Sequence, residues 1–127
     1  MALLQGVRVL VVDDNHEHLE MLSLVLRQAG AQVQTATSAQ EALETFQAGP
    51  PDVLLSDLLM LEASGFVLIR RVRSMPQGQA VPAIAVSGLP WETYRQKALE
   101  AGFSEWLSKP AADSVIAVVA RLTGRGQ

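Results

Sequence analysis

Val7, Val9, Leu10, Val11 and Val12 run apolar around a lone Arg8, and Asp13-Asp14-Asn15 ends the run. This predicts a valine-rich strand over 7–12. Leu19, Leu22, Val25 and Leu26 then recur at helical spacing with Gly30 behind Ala29, which predicts a first helix over about 17–29. From Gln32 to Ala36 polar and apolar side chains alternate, the mark of a half-exposed second strand at a sheet edge. Ser38 and Glu41 have capping-box spacing and open a second helix whose Ala42, Leu43 and Phe46 face inward, until Gly49, Pro50 and Pro51 end it. Val53, Leu54 and Leu55 form a continuous apolar run between turn-formers, which suits a third strand covered on both faces, with Asp57 at its carboxyl end.

The second half repeats the alternation. A third helix starts at Ser64 or Gly65, carries Phe66, Ile69 and Val72 on one side, and closes at Met75-Pro76, and 77–80 reads as loop. Ala83 to Val86 is a fourth short apolar strand ending at Ser87-Gly88. Pro90 precedes a fourth helix over 91–101 with Gly102 as its cap. Residues 105–108 alternate as a second edge strand, 112–123 form a fifth helix, and 124–127 are a mobile tail behind a core of about 6–123. Five strands alternating with five helices predict an α/β fold, one domain over 1–127 with an open parallel sheet covered on both faces, and right-handed crossovers leave few topologies.

Composition narrows the function classes. With 49% hydrophobic and 18% charged residues the chain has material for a core and no disorder signature. A net charge of -3 and a pI near 5.3 leave no basic stripe for nucleic acid. The dense Arg70, Arg71 and Arg73 cluster reads as a solvated helix face. Cysteine is absent, which excludes thiol chemistry and fits a cytoplasmic setting. No apolar run reaches membrane-spanning length, and the first six residues lack the pattern of a signal peptide.

The chemistry lies where the strands end. Asp13 and Asp14 follow the first strand, Asp57 the third, Ser87 the fourth and Lys109 the fifth, all at the edge where open parallel sheets carry their ligand crevice. An isolated aspartate after a strand is ordinarily a cap or turn residue. Three carboxylates in one crevice instead repel and hold protons unless a cation lies among them, and oxygen donors without a nearby thiol or imidazole favour magnesium, with manganese possible. Lys109 and a serine hydroxyl complete a site for a tetrahedral dianion, with Asp57 as a carboxylate able to attack phosphorus.

On Asp13-Asp14-Asn15, Asp57 with Met60 and Gly65 behind it, Ser87-Gly88 and Lys109-Pro110, in this order after these strands, the chain resembles a response-regulator receiver domain. This is the CheY-like family of two-component signal transduction, and the resemblance covers essentially the whole length. It implies a flavodoxin-like, doubly wound sheet in the order 2-1-3-4-5. It implies phosphorylation of Asp57 by a histidine kinase or histidine phosphotransfer protein, in a domain that promotes only its own phosphoryl transfer and dephosphorylation. Asp14, Asp57 and the main-chain carbonyl of Leu59 would hold magnesium, with Asp13 acting through a water on the metal. Ser87 and Lys109 would bind phosphoryl oxygens, Trp106 would take the aromatic switch position, and a cis peptide before Pro110 would aim Lys109 inward. The first helix would dock histidine-bearing helices, and the face of helix 4, strand 5 and helix 5 would serve dimers or output.

The sequence departs from that pattern at several points. Leu61 stands where a proline commonly follows the methionine, Gly88 replaces a common alanine, and Trp106 is bulkier than the usual tyrosine or phenylalanine. These departures keep an alternative in play, a non-phosphorylated pseudo-receiver acting as a protein-interaction module. A metal-dependent enzyme on a similar sheet lacks its glycine-rich phosphate loop after the first strand. His16 and His18, two apart on a helix, point to different faces and read as solvated, whereas Trp91 and Tyr94 read as packing against the domain. Apolar Met21 and Leu24, and Val115, Ile116, Val118, Val119 and Leu122 on the fifth helix, exceed what one buried face takes and mark contact surfaces. Leu59 and Leu89 occupy positions that in the family govern access of hydrolytic water. Two apolar side chains there predict slow loss of the phosphoryl group, and a phosphate-release half-life of seconds would contradict this.

Overall fold

The computed structural model describes residues 2–60 and 63–125. Leu61, where the sequence departs from the family's proline, and Gly126 and Gln127 of the predicted tail lie outside the described residues. The strands are β1 (Arg8–Val12), β2 (Gln32–Ala36), β3 (Val53–Ser56), β4 (Ala83–Ser87) and β5 (Glu105–Ser108). The helices are α1 (His16–Gln28), α2 (Ala39–Ala48), α3 (Gly65–Ser74), α4 (Trp91–Ala101) and α5 (Val115–Leu122), with a 3-10 turn at Pro76–Gly78 after α3. All strand pairs are parallel, in the order β2-β1-β3-β4-β5, so the two alternating strands are the sheet edges.

Successive side chains of the central strands serve opposite faces, and each face carries its own core. Val9, Val11, Val53, Leu55, Ile84 and Val86 pack with α1 and α5 on one side. Leu10, Val12, Leu54, Ala83 and Ala85 pack with α2, α3 and α4 on the other. Helices α1, α2 and α3 start on side-chain caps: Asn15, Ser38 and Ser64 accept from the backbone N–H three residues on. Glu41 closes its box on the N–H of Thr37, one residue before the cap.

On α5, Val115 and Val119 are buried and Ile116, Val118 and Leu122 are half-buried against the same core as Met21 and Val25 of α1, while Leu24 of α1 is exposed. Helix α5 begins three residues later than its apolar spacing suggests, because the N–H groups of Ser114 and Val115 both bond the Ala111 carbonyl in a preceding turn. Its end is capped by the Arg125 N–H on the Ala120 carbonyl, so 124–125 belong to the helix terminus.

Arg73 does not share the solvated face of Arg70 and Arg71. Its guanidinium donates to the carbonyls of Gly78 (2.7 Å), Val81 (2.6 Å) and Gly102 (2.8 and 3.0 Å), joining the turn after α3 to the end of α4. Trp91 is likewise 51% exposed, against the expectation that it packs on the domain, because the first turn of α4 stands clear of the sheet.

Gly65 sets how closely α3 approaches the end of β3. Its N–H bonds the Leu58 carbonyl at 3.0 Å, and a Cβ there would overlap the Asp57 carbonyl oxygen and lie 3.0 Å from the Leu58 Cα. All of these obstacles are backbone, so Gly65→Ala should cost about 1–3 kcal/mol, the usual range for overpacking. Urea unfolding checks this, and an unchanged midpoint would contradict it.

Candidate functional site

Strand register gathers the polar residues. Val12 pairs with Ser56, Ser56 with Ala85, and Ser87 with Ser108, so the residues that follow these strands emerge along one edge. The Asp57 N–H bonds the Val12 carbonyl (2.9 Å), the Asp13 N–H the Ala36 carbonyl (3.1 Å), and the Lys109 N–H the Ser87 carbonyl (2.9 Å), each extending a ladder by one step. The peptide between Lys109 and Pro110 is cis.

At that edge the Lys109 ammonium lies 3.1 Å from Asp57 Oδ2 and 3.2 Å from Asp13 Oδ2. Carboxylate oxygens of Asp13, Asp14 and Asp57 lie within 4.8 Å of one another, Asp13 and Asp57 buried and Asp14 half-buried. Burial pushes the Asp57 carboxyl up and the charge of Asp13 pushes it further, while Lys109 and the Leu59 N–H, 3.3 Å from Oδ1, only partly offset the rise. Burial also pushes Asp13 up, but the Asn15 N–H on Oδ1 (2.9 Å), His18 and Lys109 outweigh it and hold this carboxyl below the ordinary range. Burial pushes the Lys109 ammonium down, and its bonds and attraction to Asp57 and Asp13 more than restore it, leaving it raised.

Each residue singled out in the sequence has a place here. Asp13, Asp14, Asp57 and Lys109 are brought together. Ser87 is fully buried at the end of β4, where its Oγ accepts from the Leu89 N–H at 3.0 Å and its own O–H keeps a donor. Leu59 is 60% exposed beside Asp57, and Leu89 is half-buried. Trp106, on β5, is half-buried against the α2–α4 side, and its Nε1–H donates to Ser108 Oγ at 3.1 Å.

His18 is the residue that sequence reasoning passed over. His16 is exposed and the two imidazoles form no pair, but His18 is not solvated: its side chain is 11% exposed and its Nδ1 lies 2.5 Å from Asp13 Oδ2. The signal was present. Asn15 caps α1, which puts His18 at the third helical position, from which a side chain reaches back over the helix start.

The donor set fits a hard divalent cation. Three carboxylates crowd within one crevice, Asp57 is pushed towards its protonated form by burial and by the charge of Asp13, and the adjacent imidazole is already engaged on Asp13. Among the described residues no helix is long and apolar enough to cross a membrane.

A model of the response regulator receiver domain family matches residues 9–121. The "uncharacterized 14.6 kDa protein in sodA1 3'region" of Leptolyngbya boryana is 42% identical over 110 residues, which cover 87% of this chain and 84% of that protein. Response regulator PleD of Caulobacter vibrioides is 30% identical over 87% of this chain, but the match spans 24% of PleD. The histidine-protein kinase BarA of Escherichia coli is 30% identical over 83% of this chain and 11% of its own length. Among solved structures, the chemotaxis response regulator CheY4 of Vibrio cholerae superposes with a TM-score of 0.85 at 30% identity, covering 91% of this chain and 98% of that one. The receiver domain of the sensor histidine kinase PA1611 of Pseudomonas aeruginosa, solved with a magnesium ion coordinated in its active site cleft, gives 0.86 at 25% identity, covering 94% and 98%.

The raised Asp57 carboxyl has a measurable sign. A folded state that favours the proton is destabilised by the ionised group, fully so above the raised folded value and not at all below the unfolded value of 3.8. In metal-free protein Asp57→Asn should therefore melt higher than wild type at pH 7, the gap closing as pH falls through the raised Asp57 value. Added magnesium should raise the wild-type melting temperature more than that of the variant. A variant no more stable than wild type at pH 7 would contradict this.

Proposed function

The chain belongs to the response regulator receiver domain family, and from that premise we propose that it accepts a phosphoryl group on Asp57 and thereby switches its partner contacts. The observation that carries this reading is the Lys109 ammonium within 3.2 Å of both Asp13 and Asp57, beside a third carboxylate, at the crevice edge of the sheet. Receiver domains interact with histidine kinases or phosphotransfer proteins and are not turnover enzymes in the usual sense. The phosphoryl donor in this reading is a phosphohistidine on such a partner.

Asp14, Asp57 and the Leu59 carbonyl would hold the magnesium ion, with Asp13 supporting it through water. When bound, the ion supplies positive charge against the phosphoryl oxygens and against the crowded carboxylates. In the transfer, an Asp57 carboxylate oxygen forms a bond to phosphorus as the phosphorus–nitrogen bond of phosphohistidine breaks, and the electron pair leaves with the imidazole, which takes up a proton. Lys109 offers its ammonium to the phosphoryl oxygens, so its present contact with Asp57 places charge where the dianion arrives. Asp13 and Asp57 are buried, so the attraction of Lys109 for them is screened less than between exposed charges.

Once phosphorylated, Asp57 presents oxygens to which the Ser87 hydroxyl donates, drawing the loop after β4 inward. Trp106 follows as the aromatic switch by exchanging its Ser108 bond for an inward position. The bias is the difference in contacts between the two states.

Intact mass after incubation with magnesium and acetyl phosphate tests the reading. Wild type should gain one phosphoryl group and Asp57→Asn none. No addition to wild type would favour a receiver fold used only as an interaction module.

A further inference from the structure

Among the described residues, His18 Nε2 is the one buried side-chain nitrogen or oxygen without a hydrogen-bond partner. The rest of the ring is engaged: Nδ1 lies 2.5 Å from Asp13 Oδ2. A carboxylate oxygen only accepts, so Nδ1 carries the proton of that bond. In the neutral ring Nε2 then holds a lone pair, and a proton on it would bury a second donor with nothing to receive it. An orphaned buried nitrogen is a cost, and a charge-assisted bond to a buried carboxylate is the interaction strong enough to offset it.

The three donors on Asp13 differ in what they can fix. Lys109 reaches Asp13 on a four-carbon stem, is 25% exposed, and divides its ammonium between Asp13 and Asp57. The Asn15 N–H holds Oδ1 from the chain just beyond. His18 holds Oδ2 from the first turn of α1, and that turn is itself pinned by the Asn15 side chain accepting from the His18 N–H at 3.0 Å. With Oδ1 and Oδ2 gripped by separate donors from one capped helix start, the carboxylate plane of Asp13 is set before any cation or phosphoryl group arrives.

We propose that His18 is a positioning residue of the acceptor site, whose Nδ1–H fixes the Asp13 carboxylate in the orientation from which, with Asp14 and Asp57, it supports a divalent cation. The proposal rests on the reading of the cluster as a magnesium-assisted acceptor site. It assigns to α1 a part in assembling that site as well as in covering the sheet. Hydrogen bonds onto direct metal ligands typically alter affinity by about 10- to 100-fold when lost, and His18, acting on a carboxylate that reaches the ion through water, is expected at the low end of that range.

Two near-isosteres separate positioning from packing. An asparagine amide nitrogen falls close to the Nδ1 position of histidine, whereas a glutamine amide nitrogen falls close to Nε2. His18→Asn therefore keeps the single bond the ring makes, and His18→Gln keeps size and polarity while moving the donor away from Asp13. Magnesium affinity, measured by calorimetry on the folded proteins, should be within about twofold of wild type for His18→Asn and about tenfold weaker for His18→Gln. In metal-free wild type at a pH where the ring is neutral, long-range proton–nitrogen NMR of the imidazole should show the Nδ1–H tautomer. Equal magnesium affinity for wild type and both variants, with only melting temperature changed, would overturn the proposal while leaving the acceptor reading intact. So would an Nε2–H tautomer, which needs no variant to fold. A wild type that neither binds magnesium nor takes up a phosphoryl group would overturn the acceptor reading and the proposal with it.

Discussion

Two buried aspartates face each other across the ends of neighbouring strands, and the Lys109 ammonium, 3.1 and 3.2 Å from them, is the charge that lets both remain there. Without it, the burial and the Asp13 charge that raise the Asp57 carboxyl would be opposed at Asp57 only by the Leu59 N–H. Nearly everything local serves that arrangement. The β1–β3 and β4–β5 registers bring the strand ends level, the Asn15 cap folds the start of α1 back over Asp13, and Gly65 lets α3 begin directly behind Asp57.

The same constraint links chemistry to signalling. A crevice that holds net negative carboxylate charge around one lysine is short of positive charge, so a divalent cation is complementary to it and a phosphoryl dianion is acceptable only with that cation present. Ser87 and Trp106 stand one strand and two strands away, Ser87 accepting from the Leu89 N–H with its own O–H left to donate, and Trp106 donating to Ser108, a bond a switched state would exchange. In the proposed function the Trp106 bond to Ser108 defines the resting side of the equilibrium.

Much of this was legible in the chain. Strand and helix positions followed from apolar spacing and caps, and the two alternating strands were the edges because only an edge strand leaves a polar row in solvent. The gathering of Asp13, Asp14, Asp57 and Lys109 followed from a rule about where parallel strands end. Strand order did not follow from pattern, since the crossover rule fixes handedness and not sequence of neighbours; the family resemblance supplied it. Helical periodicity scores Arg73 as solvated because it is polar, whereas its partners are carbonyls of the segment just after α3, at Gly78 and Val81, and of Gly102 at the end of α4. His18 is misread for a related reason. Its spacing from His16 reads as solvated, whereas its partner lies five residues back across a helix cap.

The most direct test of the account is carboxyl carbon NMR of Asp13 and Asp57, titrated in the metal-free protein. Two separated transitions are expected, Asp57 above the ordinary carboxylate value of 3.8 because burial and the charge of Asp13 outweigh Lys109, and Asp13 below it because the Asn15 N–H, His18 and Lys109 together outweigh its burial. Replacing Lys109 with methionine should push the Asp57 transition higher still. Two coincident transitions near the ordinary value, unmoved by Lys109→Met, would show that the lysine does not hold the pair together.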